Sequence, residues 1–219
     1  MGEKEVSRVG ERVNPISVRS KRRITDALLE LMQSAPFSRI TIKDIVDRAG
    51  LTRQTFYHNF DSKEDVLYYR LDEYIEGFIR YLSAHQVDTW EDILCFFYRY
   101  WQEHADFVKL LMENDQMHLL SGSLEKWFEP LRASRLDRDG LTETEAKLWF
   151  AFVNGALSSI LSSWLISGGG LSARALSKAT LSMLDGTTLE RTAFSSPGKA
   201  GQVVELLASG LPEGTTESN

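Results

Sequence analysis

The stretch from Ile40 to Val66 decides the fold, and it reads ITIKDIVDRAGLTRQTFYHNFDSKEDV. Thr41 precedes an apolar helical pattern, and Asp44 follows three residues later, which is the spacing of a helix capping box. Gly50 stands where that helix would end in a left-handed conformation, and Thr52 precedes another short helix. The pattern therefore predicts two short helices joined across a tight turn, which is the helix-turn-helix arrangement.

A longer helix is predicted on each side of this stretch. Between about Val18 and Ser34, apolar residues recur at the intervals of one buried helix face. Four basic residues stand at the start of that helix, where the helix dipole favours anions: Arg19, Lys21, Arg22 and Arg23. A nearby DNA phosphate would relieve this conflict, and a solvated basic turn is the alternative. Residues 61–83 predict a further helix, capped by Asp61 or Ser62.

The whole arrangement resembles the DNA-binding domain of the TetR family of bacterial transcriptional regulators. The resemblance rests on Ala49-Gly50, on the Thr-Arg-x-Thr-Phe-Tyr-x-x-Phe core from Thr52 to Phe60, and on Ser62-Lys63-Glu64, all without a gap. It implies an all-α protein with an N-terminal three-helix DNA-binding domain and a C-terminal helical domain for dimerisation and ligand binding. The first part of that remainder looks like regulators of dihydroxyacetone kinase operons.

The start of the last short helix carries side chains suited to reading DNA. A recognition helix enters the major groove by its N-terminal end, so its first turn must carry groups that reach base edges. Those residues are Arg53, Gln54 and Thr55. Arginine can bond guanine, glutamine can bond adenine, and the threonine methyl can touch thymine. Phe56 and Phe60, four residues apart, are predicted to be core residues.

Four further residues complete the predicted DNA-contact set. The resemblance implies a phosphate contact for Tyr57 and a contact with base or phosphate for His58. Lys63 stands at the start of a helix, where backbone amides and an ammonium together favour a phosphate. Thr41 offers the same at the helix before the turn, and a purely structural cap is the alternative there.

The charges of the chain are divided unequally. Residues 1–60 contain 11 Lys and Arg against 7 Asp and Glu, whereas residues 61–219 contain 14 against 24. A basic first part on an acidic remainder indicates that the first part alone meets a polyanion. We therefore expect a double-stranded DNA operator as the partner of the N-terminal domain.

Composition shifts predict four regions along the chain. Residues 1–17 are expected to be a flexible basic arm, 18–65 the DNA-binding domain, 66–185 a helical effector-binding and dimerisation domain, and 186–219 a disordered tail with a helical turn near Gln202–Ala208. The helix at 61–83 links the two domains. Further helices are predicted at about 89–104, 105–113, 116–135, 143–167 and 172–185, with a break at Asp137–Gly140.

The helix at 143–167 is predicted to form a homodimer together with 172–185. It is apolar on more than one face, and its Gly, Ala and Ser residues permit close approach of another helix. An intersubunit four-helix bundle would bury such surfaces. An ordinary central helix within one subunit is the alternative.

Aromatic residues concentrate in the second part of the chain, which contains all five Trp residues. They could line a pocket for an apolar or aromatic small-molecule effector, with histidine and asparagine side chains to orient it. The candidate residues are Phe97, Trp101, His104, Met117, His118, Trp127, Trp149 and Asn154. Aromatic residues at helical spacing are more often plain core, which is the alternative.

Several protein classes are not expected. One cysteine, Cys95, and four scattered histidines are a poor supply for a metal site, and no cofactor motif occurs. No catalytic motif points to an enzyme. No run of about 18 apolar residues and no secretory signal is found, so we expect neither a transmembrane helix nor a membrane partner, and a cytoplasmic location. The sequence thus predicts a dimeric, effector-released repressor. The alternative is a DNA-binding regulator controlled by a protein partner or lacking a ligand.

Overall fold

The computed structural model describes residues 15–139, 142–168, 170–185 and 200–212. In these ranges the chain forms ten α-helices and one short 3-10 turn, with no strand, which confirms the expected all-α fold. It divides into two compact units, the first ending at Leu67 and the second beginning at Tyr68. The boundary falls inside a helix, so a single α-helix is shared by both units.

The first unit contains the predicted helix-turn-helix. Its elements are α1 (Pro15–Met32), a 3-10 turn (Phe37–Arg39), α2 (Ile42–Ala49), α3 (Arg53–Asn59) and the start of α4 (Lys63–Ser83). The interior is formed by apolar side chains that are fully buried: Ile24, Leu28, Ile45 and Phe56. Both α1 and α2 pack against α3, so the two helices before α3 hold it in place.

The start of α1 corrects two sequence-based expectations. The helix begins at Pro15, so residues 15–17 belong to it and not to an arm; residues 1–14 lie outside the described residues. Proline is favoured in the first turn of a helix because its missing N–H has no intrahelical partner there. With this earlier start, Arg19 and the basic residues after it lie beyond the first turn. The predicted conflict with the helix dipole therefore does not arise at that point.

The second unit contains the rest of α4 and six further helices. They are α5 (Trp90–Glu103), α6 (Ala105–Glu113), α7 (Met117–Asp139), α8 (Glu143–Ile166), α9 (Ala173–Asp185) and α10 (Ala200–Ser209). The break predicted at Asp137–Gly140 is wrong at its start, because α7 continues to Asp139. The helical turn predicted near Gln202–Ala208 is a full helix, since Ala200, Val204 and Leu207 form one buried face that packs with α7. The rest of the predicted tail, 186–199 and 213–219, lies outside the described residues.

Polar contacts tie the helices of the second unit together. In the interior, the hydroxyls of Tyr98 on α5 and Thr180 on α9 lie 2.9 Å apart. At the surface, Arg174 on α9 pairs with Glu91 and Asp92 on α5, at 2.7 and 2.9 Å. These contacts accompany the close packing of α5 with α9, while α7 packs mainly with α8.

Within the second unit, α4 is held at two points along its length. Asp72 accepts a hydrogen bond from Trp127 Nε1 at 2.9 Å and pairs with Lys126 Nζ at 2.7 Å, both on α7. One turn further along α4, Gly77 faces the Tyr100 hydroxyl of α5 so closely that a Cβ there would lie 2.5 Å from it. The first contact joins α4 to α7, and the second joins it to α5.

The helix α8 leaves one apolar face uncovered. Leu148, Phe152 and Ile166 are 67%, 47% and 71% exposed. Among the described residues, α8 is the one helix long and apolar enough by length and composition to cross a membrane. The expectation that the protein has no transmembrane helix stays a prediction. The search for an unbroken apolar run missed α8 because small serines interrupt the run without making the helix strongly polar.

Candidate nucleic-acid interface

The helix α2, which precedes the turn, begins with a complete capping box. Thr41 Oγ1 accepts a hydrogen bond from the Asp44 amide at 3.2 Å and donates to Asp44 Oδ2 at 2.6 Å, while the Thr41 amide donates to Oδ2 at 2.9 Å. These bonds from the side chain and backbone of Thr41 lower the pKa of Asp44. Because the hydroxyl proton of Thr41 is committed to Asp44, the geometry agrees with the structural-cap alternative. A phosphate contact by Thr41 stays a prediction.

Gly50 ends α2 in the left-handed conformation that the sequence predicts, with φ of 60°. Arg23, reaching across from α1, donates from Nη2 to the carbonyls of Ala49 and Gly50, the latter at 3.3 Å. A cation beside the last carbonyls of a helix is favourable both as a hydrogen-bond donor and toward the helix dipole. Arg23 therefore stabilises the turn that sets the start of α3.

The helix α3, expected to be the recognition helix, is anchored on one side and exposed on the other. Thr52 caps it by accepting from the Thr55 amide at 3.1 Å, and the two hydroxyls lie 2.9 Å apart. The buried side is formed by Phe56, which is fully buried, and by Phe60, which follows the last residue of α3. The prediction that both phenylalanines are core residues is confirmed.

The exposed side of α3 brings together most of the predicted base and phosphate contacts. Arg53, Gln54 and His58 are exposed, Tyr57 is 56% exposed, and Thr55 is half-buried. A tyrosine this exposed, beside a fully buried phenylalanine, is available for contact with a partner. Arginine, glutamine, tyrosine and histidine on one short helix supply donors suited to base edges and phosphates.

Lys63 is placed differently from the expectation of an open phosphate site. Its ammonium donates to the carbonyls of Phe37 and Ile40, the latter at 3.0 Å, and lies 4.2 Å from the centre of the Phe37 ring. The side chain thus joins the start of α4 to the 3-10 turn. Its contact with phosphate stays a prediction, and its observed role is to hold the first unit together.

Two residues of the first unit have roles that the sequence did not indicate. Ser17, assigned above to the arm, and Asn59, at the end of α3, are hydrogen-bonded to each other at 2.7 Å. They are 42 positions apart. Only a prediction of tertiary contacts could have found the pair, because neither residue belongs to a local capping or turn pattern.

The eight predicted effector contacts lie in several places in the second unit, and their role in binding a ligand stays a prediction. Phe97 and Trp101 are buried in the helix core, and Trp149 packs edge-on against Phe150. Trp127 is bonded to Asp72, as described above. His104 lies between the rings of Tyr74 and Tyr100, at 4.7 and 4.5 Å, and burial lowers its pKa.

The remaining predicted contacts lie at or near an open groove between α7 and α8. The groove has a volume of about 380 Å³, and its lining residues are Met117, His118, Ser121, Gly155, Ser158, Ser159, Ser162 and Ser163. Asn154 lies beside it and donates from Nδ2 to the Ser121 carbonyl at 2.7 Å. This groove is lined mostly by small side chains, unlike the aromatic pocket expected from the sequence. Within the described ranges, no three His, Cys, Asp or Glu residues are placed to hold a metal ion.

Comparison with known proteins agrees with this geometry. Residues 24–68, which span most of α1 through the start of α4, match the family described as bacterial regulatory proteins, tetR family. The first unit is therefore similar to the DNA-binding domain of the tetR family. The match covers the whole turn and all of α3, so it includes the exposed face described above.

Two curated relatives match more of the chain than residues 24–68. The chain is 28% identical over 100 residues to the HTH-type dhaKLM operon transcriptional activator DhaS of Lactococcus lactis, covering 46% of this chain and 52% of that protein. It is also 28% identical over 168 residues to the HTH-type transcriptional repressor KstR2 of Rhodococcus jostii, covering 67% and 80%. The match thus spans about half the length of the first relative. The likeness to dihydroxyacetone kinase operon regulators, expected from the sequence, appears in that match.

Two solved structures resemble the chain. The fatty acid degradation regulator FadR from Bacillus halodurans has a TM-score of 0.52 at 18% identity, covering 83% of this chain and 100% of that one. The dihydroxyacetone kinase operon activator DhaS has a TM-score of 0.46 at 22% identity, covering 76% and 94%. The likeness to FadR supports the helical fold.

Proposed function

We propose that the protein is a homodimeric repressor that binds a palindromic operator and leaves it when a small molecule binds the second unit. The observation that carries the proposal is the exposed face of α3, where Arg53, Gln54, Tyr57 and His58 stand on a helix held by buried phenylalanines. One recognition helix buries too little surface for tight specific binding, so two should act together on half-sites one or more helical turns apart.

The uncovered face of α8 supports the homodimer. Leu148, Phe152 and Ile166 are exposed on α8, and Met183 is exposed on α9. Exposed apolar surface is costly in water, and a second copy would bury it. The open groove beside this face is lined by Gly155 and several serines, which allow close helix approach. A second copy of the chain, and not a lipid bilayer, is the proposed cover of α8.

Two features of the second unit support a small-molecule effector. Trp101 is fully buried, and its Nε1 has no hydrogen-bond partner among the described residues. A buried donor without a partner costs about 1–3 kcal/mol, which an acceptor on a ligand would recover. The contacts of Asp72 with α7 also tie α4, which begins in the DNA-binding unit, to the helix that lines the groove. Ligand-driven movement of α7 would shift α4 and change the spacing of the two α3 helices.

The sign of regulation is proposed from the relatives. KstR2, named a repressor, matches a larger share of this chain than DhaS, named an activator. A regulator controlled by a protein partner is the second candidate, favoured by the close packing of Phe97, Tyr98 and Trp101 in the helix core. Both relatives are regulators, which supports the proposal that the protein is not an enzyme and acts in the cytoplasm.

The proposed function is tested by selecting, from random DNA duplexes, those that the protein binds. A pool of random duplexes would be enriched on the parent protein, and we expect a palindrome to emerge. Arg53→Ala should then weaken binding to the selected duplex by about 1–3 kcal/mol and relax the base preference at one position of each half-site. Arg99→Ala, which removes the same charge from an exposed position on α5, is the matched control and should bind like the parent.

Two outcomes contradict parts of the proposal. If no sequence is enriched, sequence-specific binding is wrong. If a palindrome is enriched but Arg53→Ala binds it as tightly as Arg99→Ala does, α3 does not read the bases through Arg53. A metabolite screen by tryptophan fluorescence, followed by release of the selected duplex, tests the effector. Compounds that bind without changing the affinity for DNA would favour the protein-partner alternative.

A further inference from the structure

Asn59 is the last residue of α3, and its side chain makes two hydrogen bonds. Oδ1 accepts from the Ser17 hydroxyl of α1 at 2.7 Å, and Nδ2 donates to the Thr55 carbonyl of α3 at 2.7 Å. The orientation of the amide follows from its partners, because a carbonyl can only accept and must therefore face the NH₂ group. Both bonds are partly buried, which shields them from competing water.

The other contacts that hold α3 are few because the helix is short. It has seven residues, which is about two turns. Phe56 is its buried side chain, and Phe60 is buried just after the helix ends, in extended backbone. Both α1 and α2 also pack against α3. A small rotation of α3 about its axis would displace Arg53 and Gln54 on the exposed side.

The hydrogen bonds of Asn59 lie on one flank of α3, where Thr52, Thr55 and Asn59 follow the i, i+3, i+7 spacing. The Thr52 hydroxyl accepts from the Thr55 amide and lies 2.9 Å from the Thr55 hydroxyl. The Thr55 carbonyl accepts from the Asn59 side chain. The Asn59 side chain is hydrogen-bonded to another helix, α1, through Ser17. Ser17 lies in the first turn of α1 and is half-buried, while Ile16 and Val18 on either side of it are exposed.

We propose that the Ser17–Asn59 pair is a positioning contact that sets the rotation of α3 and thereby the base preference of the protein. The inference rests on the proposed function, in which α3 reads bases. Recognition of base edges tolerates displacements of only about 0.5 Å and 10–20°. Phosphate contacts are less directional and survive a small rotation. Loss of the pair therefore lowers the preference for the operator more than the affinity for DNA in general.

The test compares two duplexes: the one selected by the parent protein and a shuffled duplex of equal length and composition. Ser17→Ala removes the contact between helices and leaves the bond from Asn59 to Thr55. We expect the ratio of the two affinities to fall about tenfold, within the range for directly interacting residues. Ser17→Thr retains a hydroxyl and should keep most of the ratio. Ser34→Ala, which removes a hydroxyl bonded only within its own turn, is the matched control.

A double-mutant cycle with Asn59→Ala completes the test. The double variant Ser17→Ala, Asn59→Ala should have the same affinity ratio as Asn59→Ala alone, because either change removes the same contact. Thermal unfolding identifies any variant that fails to fold, and Ser17→Ala then decides the question because the α3 backbone bonds remain. The inference is overturned if folded Ser17→Ala keeps the parent's ratio, or if both affinities fall equally. If the parent itself selects no sequence, the proposed function fails instead.

Discussion

His104 is the residue whose surroundings most clearly make stability depend on pH. It lies at the junction of α5 and α6, between the rings of Tyr74 and Tyr100. Burial lowers its pKa below the ordinary value of 6.5, the charge of Arg70 lowers it further, and Glu103 opposes the shift. The neutral imidazole is therefore the form that fits the folded protein.

The sign of the resulting pH dependence follows from proton linkage. Above pH 6.5 the imidazole is neutral in the folded and unfolded chains, so its packing contributes fully to stability. As the pH falls below 6.5, the unfolded chain takes up a proton first, and the free energy of unfolding decreases until the folded-state pKa is passed. We expect His104→Phe, which keeps a ring between Tyr74 and Tyr100, to flatten this decrease in denaturant titrations at several pH values. An unchanged slope would show that other groups cause it.

The candidate site also shows at the residue scale what the sequence can predict. Arg53, Gln54, Tyr57 and His58 are exposed on α3 because the motif fixes the helix and its buried side, and both are local patterns. Lys63 was predicted to contact a DNA phosphate, yet its ammonium donates hydrogen bonds to the carbonyls of Phe37 and Ile40. These acceptors lie more than twenty positions away in the sequence. A local pattern places the backbone of Lys63 but does not indicate which distant acceptors its side chain will reach.

At the scale of elements, the crossing of α4 and α5 depends on the absence of a side chain at Gly77. Alanine normally stabilises a helix interior by about 1 kcal/mol relative to glycine. Here the new Cβ would lie 2.5 Å from the Tyr100 hydroxyl, while the next atom of that ring is 3.6 Å away. We expect Gly77→Ala to lower the free energy of unfolding by about 1–3 kcal/mol, which is typical of overpacking.

The same substitution should have the opposite sign when the hydroxyl is removed. In the Tyr100→Phe background, only ordinary contacts remain near position 77, so Gly77→Ala should raise the free energy of unfolding by about 0.5–1 kcal/mol. Urea titrations of the four proteins in this cycle measure both effects. Equal effects of Gly77→Ala in the two backgrounds would mean that the hydroxyl does not limit the approach of the helices.

Helices set by interactions within a few residues could be predicted, and helices that depend on packing against distant segments could not. The boundaries of α2 and α3 were predicted because Thr41, Asp44, Gly50 and Thr52 act within a few residues. The extent of α10 was not predicted, because the helix depends on burying Ala200, Val204 and Leu207 against α7. The surrounding sequence is rich in glycine and serine, which concealed the helix. The aromatic residues of α5 showed helical periodicity, which core packing and a ligand pocket produce alike.

For the whole molecule, the central prediction is a dimer held by α8 and α9. Ser159 is exposed on α8 and lines the groove beside the uncovered apolar face. Ser159→Arg places a charge in the proposed interface, where burial without a partner is costly. Light scattering should show monomers, and binding to the selected duplex should fall sharply while the DNA-binding unit remains folded by circular dichroism.

A second arginine substitution controls for added charge. Ser209 ends α10, is exposed, and bonds only to the Leu206 carbonyl, so Ser209→Arg should leave the dimer and its DNA binding intact. A dimer that persists in Ser159→Arg would place the interface elsewhere. Dissociation in both variants would show that added charge, and not its position, is responsible.

In the proposed dimer, the uncovered face of α8 would tie the output of the regulator to its abundance in the cell. Each chain supplies one α3 and one α8 face, so binding to a palindromic operator would require two chains to meet first. While most of the protein is monomeric, the concentration of dimer rises with the square of the monomer concentration, and doubling the synthesis of the chain raises it about fourfold. Gene dosage would then switch the target promoter over a narrow range, and a modest loss of protein to proteolysis would release it.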